Sequence, residues 1–116
     1  MDVLKDPFKL FCLYYLGVTP EGTFRFVNGN QIAKQFNITV QDLMGYLSKA
    51  GMHPDVVLNT DFPMARHQVD VQLAADELTG EGLLHMAREV YDAFHGRLGK
   101  KRDWLAEIAR EKSQDV

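Results

Sequence analysis

Four histidines, one cysteine and scattered carboxylates are the groups with chemistry to offer in this 116-residue chain. His85 and Glu89 stand four apart in a helically periodic stretch, so they share a face, and His67 and Asp70 stand three apart. Either pair could give two ligands to a divalent metal, but a site needs a third and a fourth. The plain reading of each is a solvated polar contact. His53 precedes Pro54 and reads as loop. Cys12 lies in the most apolar stretch of the chain, whereas a nucleophilic thiolate needs an electropositive, partly exposed setting; it reads as a core thiol. Ser48 and Ser113 are the two serines, and neither sits in a Gly-x-Ser-x-Gly elbow. Neither common glycine-rich phosphate loop occurs. Asn28-Gly29-Asn30 could hold an anion on free backbone amides but reads better as a turn. No catalytic residue, metal ligand or cofactor is assigned, and the chain reads as non-enzymatic.

Charge narrows the partners. Residues 1–51 carry five Lys/Arg and four Asp/Glu, residues 52–79 one Arg against five acids, and residues 80–116 seven of each; the net charge is −3. A protein built to grip phosphates usually shows a basic excess, so nucleic acid is possible here but not favoured. One cysteine excludes an internal disulfide framework. No uncharged apolar run approaches the ~18 residues of a membrane span. The first residues lack the basic-then-apolar order of a secretory signal, and a cytoplasmic location is the expectation.

The elements follow from periodicity and punctuation. Asp6 is placed to cap a helix with Pro7 at its first position and Gly17 at its stop. Between them the run Phe8–Leu16 is apolar on nearly all sides, which means burial on several sides or a covering partner. Thr23–Val27 reads as a short strand, and Asp55–Asn59 as a second that could pair with it. Gln31–Phe36 gives a short helix. Thr39-Val40-Gln41-Asp42 resembles a capping box that opens a helix ending at Gly51. The stretch 60–78 reads either as a helix, with Phe62, Ala65, Val69 and Leu73 on one stripe, or as a wing hairpin. The helix is favoured, because Leu73–Leu78 continues it with good helix formers. Thr79 is placed to cap a long amphipathic helix with Leu83, Met86, Ala87, Val90 and Phe94 on its core stripe. A last helix carries Trp104, Leu105, Ile108 and Ala109.

Residues 31–51 form two short helices around a sharp turn at Asn37, a residue that accepts left-handed backbone. Ala33 is the small residue at the helix contact, and Ile38, Leu43 and Tyr46 fill the apolar positions after the turn. This segment resembles the helix-turn-helix family of bacterial regulators, with Asn37 where that family usually has Gly. The resemblance covers about 20 of the 116 residues. It implies a recognition helix over residues 40–50 exposing Thr39, Gln41, Asp42, Gly45, Ser48 and Lys49.

The expected fold is mainly α: one compact domain over residues 1–116, with a helix-turn-helix core and a small two- or three-stranded β-sheet, winged-helix-like. Residues 1–59 make the helix-turn-helix-like half, 60–112 a helical half and 113–116 a frayed tail. The favoured function is a regulatory or adaptor protein that binds another protein, or itself as a homodimer, through Phe11, Tyr14, Tyr15 and Trp104. The alternative is a DNA-binding transcriptional regulator using Gln41, Ser48 and Lys49, with Lys34 on the backbone.

Overall fold

The computed structural model describes residues 2–97, which are mainly helical. In chain order they are α1 (Asp2–Lys5), α2 (Pro7–Phe11) running into a π-helical turn (Cys12–Leu16), α3 (Gly29–Gln35), α4 (Val40–Lys49), α5 (Pro54–Leu58), α6 (Met64–Ala74) and α7 (Glu81–Arg97). The helix expected around Trp104 and the tail expected to fray fall outside the described residues. No helix among those described is long and apolar enough to cross a membrane.

The apolar run after Asp6 becomes the centre of the molecule. Asp6 accepts from the amides of Phe8 and Lys9 at 3.0 and 3.2 Å, Pro7 takes the first turn, and Gly17 ends the element at φ 69°. Leu10, Phe11, Cys12, Leu13, Tyr15 and Leu16 are all buried. α7 covers one side: Phe11 stacks on Phe94 and meets Tyr91 edge-on, both at 5.3 Å between centroids. α6 covers another, where Gln68 Nε2 donates to the Tyr15 carbonyl at 2.8 Å. The Tyr15 hydroxyl donates to the Met52 carbonyl at 2.7 Å, tying the centre to the end of the α4 segment. The run is apolar all round because its own domain surrounds it.

The expected sheet is not formed. Among the described residues the only β pairing is one isolated antiparallel bridge, Val18 to Phe24. The intended partner strand, residues 55–59, is α5 instead. Pro54 sets the first turn, and the His53 ring Nδ1 accepts from the Asp55 amide at 3.1 Å. A cap and a proline at the helix start outweigh the β preference of Val56 and Val57. Thr23–Val27 pairs only at Phe24, with Val18, and forms no strand. The stretch Gln68–Leu73 is helical within α6, so no wing hairpin exists there either.

α6 turns a different face inward from the one its stripe suggests. Phe62, just ahead of it, is buried, but Val69 and Leu73 are 52% and 65% exposed and Ala65 is also exposed. Val71 and the half-buried Met64, His67 and Gln68 face the core instead. Both sides of this helix are partly apolar, and Gln68 wins the inward position because it satisfies a buried carbonyl.

A backbone clasp joins the two halves. Gly80 N donates to the Gly22 carbonyl at 2.8 Å. Gly22 stands at φ 82°, and a Cβ there would lie 2.3 Å from the Gly80 oxygen. Only glycine fits both the conformation and the approach. The Gly80 carbonyl accepts from Leu84 N at 3.1 Å, so Gly80 rather than Thr79 stands at the mouth of α7.

Candidate functional site

The α3–α4 pair is built by local hydrogen bonds that its sequence dictates. The Asn28 side chain accepts from Gln31 N at 2.8 Å, and the Gln31 side chain accepts from Asn28 N at 2.9 Å, a reciprocal cap. Asn37 sits at φ 56°, the one positive-φ residue other than glycine among those described. Its turn is closed by Ile38 N donating to the Ala33 carbonyl at 2.9 Å. Thr39 and Asp42 repeat the reciprocal cap at 3.0 and 3.2 Å and start α4. Ile32, Ala33, Leu43 and Leu47 then point into the core.

This leaves the other face of α4 to solvent. Thr39, Gln41, Asp42, Gly45, Ser48 and Lys49 are all exposed, as the spacing indicates, and so is Lys34 on α3. Ile38, Gln41, Asp42, Gly45, Tyr46 and Lys49 line one open concavity of about 450 Å³. The floor residues Ile38 and Tyr46 are half-buried. Gly45 leaves the notch at its centre: nothing stands within 4 Å of where its Cβ would be. The Asp42 carboxylate is held at the start of α4 by its bond to Thr39 N, so a negative charge is fixed at that end.

The aromatic residues expected to meet a partner are placed differently. Phe11 has no exposed surface and Tyr15 is 7% exposed; both serve the core. Tyr14 is half-buried, its ring edge-on to Tyr15 and against the first turn of α3 at Gly29. Trp104 lies outside the described residues. Among the described residues, the large apolar side chains that do reach solvent are Phe26, Val40, Val56, Leu58, Val69, Leu73 and Leu78. Sequence reasoning missed Phe26 and Val69 as surface residues. The signal was there in α6, whose apolar positions Val69, Val71 and Leu73 cannot all share one helical face.

The other chemical candidates stay apart. Burial pushes the Cys12 thiol up to about 12, with the Asp6 charge adding to it, so it stays protonated at neutral pH. His85 Nε2 lies 3.2 Å from Glu89 Oε1 on an exposed helix face. His67 is stacked on Phe62 at 4.7 Å between ring centroids. No group of three or more metal-ligating side chains occurs among the described residues. Comparisons with family models, curated proteins and solved structures found no match to this chain.

Proposed function

We propose that this chain is a non-enzymatic, cytoplasmic regulatory or adaptor protein that binds another protein, or a second copy of itself, on the open face of its helix-turn-helix-like pair. The observation that supports this most is the make-up of that face. It offers a notched concavity with Ile38 and Tyr46 at its floor, Gln41 at its side, a single lysine and no arginine. Asp42 is pinned where a recognition helix would enter a DNA groove, and a fixed carboxylate there repels phosphates. A glycine inside a solvent-facing helix costs about 1 kcal/mol relative to alanine. Close approach of a partner backbone at Gly45 gives that cost a use.

Filling the notch tests the reading. Co-purification from nuclease-treated host extract should recover a partner with the wild type and lose most of it with Gly45→Gln. Equal recovery with both would count against this face.

A second reading, a DNA-binding transcriptional regulator, is favoured by the exposure of Lys34, Gln41, Ser48 and Lys49 on the two capped helices. Retention on duplex DNA at low salt that collapses as salt is raised would support it. No retention at low salt would remove it.

A further inference from the structure

Outside the α4 site, the most apolar open surface among the described residues is the outward face of α6. Val69 and Leu73 are 52% and 65% exposed, and Phe26 beside them is 59% exposed. Phe26, Ala65 and Val69 help to line one groove of about 380 Å³. Ala65, Val69 and Leu73 repeat every four residues, the stripe of a helix that packs against another element.

Two observations select the occupant. The first is size. Val69 stands midway in the stripe, with the small Ala65 one turn before it and the large Leu73 one turn after. Laid antiparallel on itself about Val69, the stripe sets each Leu73 over the second copy's Ala65 and the two Val69 side chains against each other. A parallel pair would crowd leucine on leucine and leave a gap between the alanines. Large against small is how packed faces interdigitate.

The second is charge. Arg66 and Asp70 are exposed along one edge of the stripe. They form no ion pair with each other or with another described residue. At about 1.5 Å of rise per residue, the antiparallel register brings Arg66 within about 3 Å along the axis of the second copy's Asp70, and a two-fold repeats the pair. The Phe26 groove, lined also by Gln68 and Gln72, runs along the other edge. There the same two-fold sets apolar surface against apolar surface.

We propose that α6 is a self-association surface: two copies of this chain pair α6 antiparallel about a two-fold axis at Val69, with Leu73 on Ala65 and Arg66 facing Asp70 across the contact. The surface is a different face from the α4 concavity, and neither reading depends on the other. A contact this narrow belongs among small interfaces, so the dimer is reversible and follows concentration.

Sedimentation of the full chain from micromolar to millimolar concentration tests it. The wild type should pass from monomer to dimer. Val69→Glu and Leu73→Glu change exposed positions; each should weaken the dimer roughly tenfold or more, with far-UV circular dichroism unchanged. Charge reversal keeps the test decisive if either variant misfolds. Arg66→Asp and Asp70→Arg should each weaken self-association, because each sets like charges across the contact. Mixed in equal amounts, the two variants should associate again, which a general loss of folding would not allow. Gly45→Gln should leave the dimer as it is. A monomer at every concentration would overturn the proposal. So would a dimer that no α6 change weakens, or charge reversals that fail to rescue one another. A dimer lost only with Gly45→Gln would move self-association to the α4 face and overturn it too.

Discussion

At the residue scale, Asn37 holds the turn on which α4 depends. A left-handed backbone is costly for side chains without a short polar group, by roughly 1–2 kcal/mol. Asn37→Val should therefore lower stability by about that amount, and Asn37→Gly should leave it equal or raised, as read from urea midpoints. Gly45 gives the opposite sign. Its α-helical site has open space around the missing Cβ, so Gly45→Ala should stabilise by about 1 kcal/mol. A stabilising change that also weakens partner recovery would mark Gly45 as kept for binding. Cys12 gives a pH dependence. The native thiol is raised from 9.0 to about 12, so above pH 9 the unfolded chain loses its proton first and stability falls as pH rises. Tyr14, Tyr15 and Tyr91 are also raised by burial from 10.0 and act at higher pH. Cys12→Ala should flatten the decline between pH 9 and 10; an unchanged slope would show that the thiol is not protected.

At the scale of elements, the structure rests on caps and on one clasp. Gly22→Ala forces a Cβ into the Gly80 backbone at a positive φ. It should cost upwards of about 2 kcal/mol, visible as a drop in thermal midpoint that Thr79→Ala does not reproduce. Much at this level was legible in the sequence. Asp6-Pro7, Thr39–Asp42, Asn37 and Gly17 each mark a boundary by a local rule, and the structure places each where that rule puts it. Asn28-Gly29-Asn30, read as a turn, instead opens α3 as its cap and first two residues, ahead of the expected start at Gln31. What failed was non-local. Val56 and Val57 favour a strand, but a strand needs a neighbour, and the short pairing of Thr23–Val27 is taken by residues 17–19 rather than by 55–59. The inward face of α6 is set by Gln68 meeting the Tyr15 carbonyl, 53 residues away in sequence; no periodicity of α6 alone encodes that. The burial of Phe11 and Tyr15 likewise depends on where α6 and α7 return. The α4 face was legible because it needs only the turn at Asn37 and a 3.6-residue period.

At the scale of the whole molecule, a net charge of −3 sits on a helical body whose helix-turn-helix-like pair carries few cations. On the proposed reading, a net charge of −3 offers DNA no long-range attraction, and the Asp42 carboxylate would oppose a phosphate backbone at the open face. The central claim is thus that the open face of α4 meets protein. A photo-crosslinking amino acid in place of Gln41, which lines the concavity and is fully part of the exposed face, tests it most directly. Irradiation in the host cell should give a discrete adduct that withstands nuclease and is destroyed by protease. An adduct that nuclease removes, or none at all while the same label placed on the Val69 face captures protein, would contradict it.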